Sequence, residues 1–277
     1  MTPELAQTAV PRARWQPTRL IAGSIGLHCV AGIGALFGPE AWPWAVGSVV
    51  ANHAVLGGIG MWPRSTLLGP NVRRLPGACA ARGEIALTFD DGPDPEVTPR
   101  VLELLQARGV HATFFCIGAA ASRDPDICRE IADRGHRIEN HSRHHYATFP
   151  FLGLGGIRAE IGAAQSMLTE IAGAPPRFFR PPAGLRNPLL DPVLHELGLA
   201  LVSWTRRAYD TRRSDPQRAA ARLLDGIAGG DILLLHDGHC ARTRAGTPVV
   251  LEVLPRVLDA VERAGLRPVT LHQALRA

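Results

Sequence analysis

The chain has 277 residues with 30 basic and 25 acidic side chains, a formal net charge of +5 and 46% hydrophobic residues. Every basic residue is arginine, which excludes lysine Schiff-base chemistry and a lysine-bearing phosphate loop. The basic balance comes without an aromatic-interleaved basic patch or a recognised reading motif, which argues against a nucleic-acid partner, and the hydrophobic fraction excludes long disorder.

Two stretches near the N-terminus, residues 20–37 and 41–62, carry no formal charge and are separated by Gly38-Pro39-Glu40. Each approaches the roughly 20 residues needed to cross a hydrocarbon core, and their glycines and alanines suit close helix packing in lipid. They predict a membrane hairpin within an N-terminal unit, residues 1–75. The competing readings are two buried soluble helices or a cleaved signal peptide. No small-residue cleavage pattern follows the first stretch, and the second would still anchor the chain. Arg12, Arg14 and Arg19 precede the hairpin, Arg64, Arg73 and Arg74 follow it, and its turn offers only Glu40. The positive-inside rule then places both ends in the cytoplasm, giving a multi-pass inner-membrane protein whose remaining domain, residues 81–277, faces the cytoplasm. The odd set Cys29, Cys79, Cys116, Cys128 and Cys240, without paired spacing, favours a reducing compartment.

Beyond residue 81, short apolar runs alternate with amphipathic ones. Strands are predicted over residues 84–89, 111–117, 136–141, 177–181, 199–205, 231–236 and 267–271. Helices are predicted over 98–108, 125–134, 157–171, 188–197, 216–227 and 249–263. Regular alternation implies parallel strands, and seven of them predict an α/β fold of the distorted (β/α)7 barrel type, incompletely closed.

The polar residues that end these strands carry the chemistry. Thr88-Phe89-Asp90-Asp91-Gly92-Pro93 puts two adjacent carboxylates at a strand end, where neighbouring side chains diverge, so that one can hold a cation while the other takes a proton. His141-Ser142-Arg143-His144-His145 supplies two imidazoles at i and i+4, expected on one face of a helical turn. Arg180-Pro181-Pro182-Ala183-Gly184 follows a strand with a fixed cation and a rigid turn. Leu233-Leu234-Leu235-His236 ends another strand in a histidine. All fall at the C-terminal ends of strands, where barrel enzymes build their active sites.

These four segments resemble, in order and spacing, the motifs of the polysaccharide deacetylase family. This is the nodulation-factor deacetylase homology domain, carbohydrate esterase family four. The resemblance runs from about residue 81 to the C-terminus. It implies that Asp90 is a general base, that Asp91, His141 and His145 bind a divalent metal, and that Arg180 orients Asp90. It further implies that His236 is the general acid and that the Ala183 backbone N–H stabilises an oxyanion. Zinc is the expected ion, and iron, cobalt or nickel suit the same three ligands.

Two family features are altered. An aspartate three residues after the fifth-strand tryptophan pairs with the catalytic histidine in the family, and a second tryptophan follows four residues later. After Trp204 those positions hold Arg207 and Thr211, leaving Asp210 or Asp237 to orient His236. Arg206, Arg207, Arg212 and Arg213, with Arg242 and Arg244, are expected around the active face, where they could hold a phosphate. The expected reaction is hydrolysis of the N-acyl group of an amino sugar in a glycan, with a lipid-phosphate-linked glycan as the sharper substrate reading. The alternatives are a deacetylase of extracytoplasmic peptidoglycan, chitin-like oligomers or exopolysaccharide, and a non-catalytic sugar-binding scaffold.

Overall fold

A computed structural model describes residues 14–275 of the chain, so that Arg12, used above for orientation, lies outside the described residues. Helix α1 (Arg19–Gly34) begins where the Thr18 hydroxyl accepts from the Ile21 amide, an ordinary N-cap, and helix α2 (Trp42–Gly60) returns beside it. The pair is tied by polar groups: Asn52 donates to the Ser24 hydroxyl at 2.8 Å, and the Nε2 atoms of His28 and His53 lie 3.2 Å apart. Of the two expected spans, only Arg19–Phe37 is long and apolar enough to cross a membrane. Asn52, His53 and the aromatic start at Trp42 lower the apolar character of α2.

The hairpin is joined to the rest of the chain by specific contacts. The Trp15 indole donates to Asp191 at 2.7 Å, and Ile21, Leu56 and Leu68 form a small apolar core. Gly60 passes so close to the Arg186 carbonyl that an added Cβ would lie 2.1 Å from it, so any larger residue there would push the two segments apart.

The unit that follows the hairpin is an open, curled parallel sheet covered by helices. Its strands are β1 (Glu84–Asp90), β2 (Thr113–Cys116), β3 (Arg137–Asn140), β4 (Phe178–Phe179), β5 (Ala200–Leu201), β6 (Arg206–Arg207), β7 (Ile232–His236) and β8 (Arg267–Pro268). The order is β5-β4-β3-β2-β1-β7-β6, with β8 pairing the start of β1. The principal helices after the hairpin are α3 (Gly77–Ala81), α4 (Thr98–Gln106), α5 (Gly118–Arg123), α6 (Pro125–Asp133), α7 (Leu154–Ala172), α8 (Leu190–Leu197), α9 (Pro216–Leu224), α10 (Val249–Arg263) and α11 (Leu271–Ala274). All seven expected strands and all six expected helices of this unit are present, several of them shorter than predicted. The two-residue β6 and the short α3, α5 and α11 are additional.

Period-two alternation sorts β1 between two cores. Ile85, Leu87 and Phe89 face outward into the layer made by α4, α9 and α10, where Val101, Leu223, Val253 and Val257 are buried. Ala86 points inward with Phe115, Phe178, Trp204, Ile232 and Leu234. Continuing that alternation, Thr88 and Asp90 belong to the inner face, so the last inward position of β1 is a carboxylate. In β7 the inward set is Ile232, Leu234 and His236, and the register pairs Asp90 with His236 across the two strand ends. The fold therefore brings the expected base and acid to one rim.

Candidate active site

Asp90 is held from below by Arg180, which is fully buried. The Nη1 of Arg180 donates to Asp90 Oδ1 at 2.5 Å and to the Thr88 hydroxyl at 3.0 Å, while Nε and Nη2 donate to the carbonyls of Val202 and Ser203. Its guanidinium also stacks 4.0 Å from the centre of the Phe115 ring. Five contacts fix this cation, and only the second oxygen of Asp90 is left toward the cavity.

Asp91 turns away from Asp90 because its φ is 74°, a left-handed conformation that re-aims the side chain. Gly92 follows because an added Cβ would meet the Asp237 carboxylate at 2.1 Å. Asp91 Oδ1 lies 3.1 Å from His141 Nε2 and 3.2 Å from His145 Nε2. The three side chains form a metal-competent group whose ligand atoms all lie within 4.8 Å of one another.

The two histidines do not share a helical turn, contrary to the expectation from their spacing. Residues 141–145 form an irregular loop in which Ser142 (φ 64°) and His145 (φ 55°) are left-handed. Local side-chain bonds make that path: Ser142 N donates to Asn140 Oδ1 and His145 N donates to the Ser142 hydroxyl. The imidazoles converge all the same, with ring centres 4.9 Å apart.

The donor set fits a divalent ion. His141 Nδ1 is 2.6 Å from the Arg180 carbonyl, so Nδ1 carries a proton toward that oxygen and Nε2 is the ring atom aimed at Asp91. Burial, with the neighbouring His141, lowers the His145 pKa to about 4, which keeps this ring neutral at neutral pH. Burial alone would raise the pKa of Asp91, but hydrogen bonds from His141 and His239 outweigh it and hold the carboxyl well below its ordinary value.

His236 is buried opposite Asp90, and its Nδ1 lies 2.7 Å from Asp210 Oδ1, while Asp210 Oδ2 accepts from the His236 amide. The choice left open by the sequence is thereby decided in geometry: Asp210 contacts the ring. Asp237 instead accepts from the Thr98 hydroxyl at 2.7 Å, and burial pushes its carboxyl up to about 7. Burial opposes protonation of His236, but the charge of Asp210 overcomes it and the imidazole pKa is raised.

These groups line a cavity of about 330 Å³ together with Ala183, Trp204, Arg207, Thr211, Arg212 and His239. Ala183 is left-handed (φ 55°) and exposed at the wall. His239, not anticipated from sequence, stands at the rim 3.5 Å from Asp91. It lies three residues beyond the strand that ends at His236, in a loop with no periodic pattern of its own to single it out.

The expected arginine rim is only partly present. Arg207 and Arg212 line the cavity, and Arg207 stacks on Trp204 and Tyr209. Arg206 points to the opposite end of the sheet, where it pairs with Asp231 at 2.6 Å and bonds the carbonyls of Asp225 and Gly226. The register explains the difference: Arg206 lies opposite the outward-facing Leu233 and Arg207 opposite the inward-facing Leu234. Arg242 is taken up by Glu96.

Residues 77–202 match the family model described as polysaccharide deacetylase. A peptidoglycan-N-acetylglucosamine deacetylase of Bacillus cereus is 30% identical over 69% of this chain and 88% of its own length. A chitooligosaccharide deacetylase of Azorhizobium caulinodans is 35% identical over 66% of this chain and 90% of its own. Among solved structures, a peptidoglycan N-acetylglucosamine deacetylase in complex with a naphthalenyl N-oxidanyl-benzamide superposes with a TM-score of 0.68 at 28% identity, covering 75% of this chain and 93% of that one. The carboxylate pair, the two histidines and the buried arginine thus stand on the fold in which such enzymes are built, and the chain belongs to the polysaccharide deacetylase family, the hydrolases of carbohydrate esterase family four.

Proposed function

We propose that the chain removes the N-acetyl group from N-acetylglucosamine units of a glycan by metal-dependent hydrolysis. The observation that carries this reading is the division of labour between Asp90 and Asp91. One is gripped by Arg180 and faces the cavity, and the other is grouped with His141 and His145.

When held by Asp91, His141 and His145, a divalent ion, zinc before iron, cobalt or nickel, supplies Lewis acidity toward the acetamide carbonyl and acidifies water. Asp90 takes a proton from the attacking water as its oxygen adds to the acetamide carbon. Arg180 prevents Asp90 from rotating and leaves its second oxygen toward the cavity. The Ala183 N–H donates to the oxyanion in this reading, which is supported by Ala183 lining the cavity in a left-handed turn. His236, charged and aligned by Asp210, gives its proton to the sugar nitrogen as the C–N bond breaks, so that the leaving group departs as an amine and not as an amide anion. Acetic acid and the free amine result, the acid's proton passing to the amine to give acetate and an ammonium sugar, and Asp90 passes its own proton on to His236.

The names of the relatives support N-acetylglucosamine as the sugar. Thr211, which stands where the family carries its second tryptophan, and the Trp204–Arg207 stack support a sugar-binding wall of altered shape. Retention of the full polar set in contact geometry favours an enzyme over a scaffold, because a scaffold has no need for a fixed base beside a metal group. The test is acetate release from N-acetylated chito-oligosaccharides and peptidoglycan fragments by the full chain in detergent. Release that requires added metal and stops with chelator is expected. Absence of release from every such glycan would contradict the reading.

A further inference from the structure

A second cavity, larger than the first at about 870 Å³, lies between the hairpin and the catalytic barrel. Ile21, Ile25 and Leu56 line it on one side, and Phe151, Leu154 and Leu189 on the other. Phe151 is 82% exposed in this groove, an unusual state for a phenylalanine. From Gly60 to His53 along α2 the groove extends for about 10 Å at 1.5 Å per residue. It is continuous with the outer surface of the hairpin, where Val30, Ile33, Val46 and Val50 are all more than half exposed.

At the barrel end of this apolar groove sits one cation, Arg186. The residue is 4% exposed, its Nη2 donates to the Ser65 carbonyl, and its Nε has no hydrogen-bond partner among the described residues. Asp191 is the carboxylate whose charge reaches it, and that group is held by the Trp15 indole. A guanidinium does not give up its proton, and a buried cation without a paired anion costs several kcal/mol. The groove therefore offers an unmet demand for an anion beside a path for hydrocarbon. An anion with a long apolar tail meets both.

We propose that this groove holds one hydrocarbon chain of a phosphate-bearing membrane lipid, with Arg186 as the partner of the phosphate. The position has a consequence for the reaction site. Arg186 lies two residues past the Pro182–Gly184 turn, whose Ala183 and Gly184 line the catalytic cavity while Arg186 to Leu189 line the groove. The Arg186 amide also donates to the Gly60 carbonyl at the end of α2. A lipid seated here would hold the mouth of the catalytic cavity at the level of the lipid headgroups.

The test is equilibrium binding of tritiated hexadecyl phosphate to the full chain in maltoside detergent, with hexadecanol and inorganic phosphate as competitors. One saturable site per chain is expected, with neither competitor effective at matched concentration. Arg186→Gln is expected to weaken binding at least about tenfold, as loss of a charge-assisted hydrogen bond predicts. Because Arg186 also braces Ser65, Gly57→Phe provides an independent variant. Gly57 lines the groove, an added Cβ meets no atom within 4 Å, and the ring would fill the lipid path. It should abolish binding with the melting temperature unchanged. Non-saturable uptake, equal competition by hexadecanol, equal competition by inorganic phosphate, or wild-type binding by the Gly57→Phe protein would overturn the proposal.

Discussion

His236 and Asp210 are joined through Nδ1 and Oδ1 at 2.7 Å, both are buried, and the carboxylate raises the imidazole pKa against the effect of burial. A raised value keeps the acid protonated to higher pH, so the alkaline limb of the kcat profile should lie above the ordinary histidine range. Asp210→Asn removes the charge and should move that limb to lower pH, with kcat near neutrality falling by about 10²-fold or more. The same pair stabilises the fold below the unfolded histidine pKa, and that contribution is lost as pH rises through the folded one. An unmoved alkaline limb in the Asn variant would remove His236 from the role of acid.

Arg180 and Asp90 form a fully buried pair at 2.5 Å. Arg180→Leu leaves Asp90 as an uncompensated buried charge, which should cost about 3–5 kcal/mol of stability. Asp90→Asn in the same background should recover part of that loss. Urea unfolding of the two variants checks both statements, and a single Leu variant as stable as the parent would contradict them.

Arg206 and Arg207 are adjacent but opposite in function. Arg206→Ala leaves the buried Asp231 with Arg74 and the Ala228 amide and should destabilise the chain by about 1–3 kcal/mol without a specific change in KM. Arg207→Ala should leave the unfolding midpoint near that of the parent and raise KM for the glycan, because its guanidinium lines the cavity. Thermal unfolding and steady-state kinetics of the two proteins, run side by side, separate these outcomes.

Much of this site was legible in the sequence because it rests on residue type and strand-end position. The strand ending in Asp90-Asp91, the pair His141 and His145, Arg180 and His236 all converge as their order implied. What was not legible depended on backbone detail. The family's aspartate three residues after the strand tryptophan is replaced by Asp210, six residues after Trp204, and it reaches His236 through a loop in which Tyr209 is left-handed (φ 59°). The two-residue β6 gives no periodic signal, yet its register sends Arg206 and Arg207 to opposite faces. The spacing of His141 and His145 suggested a helical turn, whereas side-chain bonds of Asn140 and Ser142 select a loop.

On the positive-inside rule we propose that both ends of the hairpin face the cytoplasm; Arg74, one of the charges counted, is paired with Asp231 at 2.9 Å. A C-terminal reporter active only in the cytoplasm should report accordingly. A signal from a reporter active only outside the membrane would reverse the orientation and point to finished wall glycan as the substrate.

In the proposed reaction Asp90 acts as the base beside a metal held by Asp91, His141 and His145. Acetate release and bound metal should therefore be measured together for the parent chain and for Asp90→Asn. The variant should keep its metal while release falls by about 10²-fold to 10⁴-fold. Turnover equal to that of the parent, with metal retained, would contradict it.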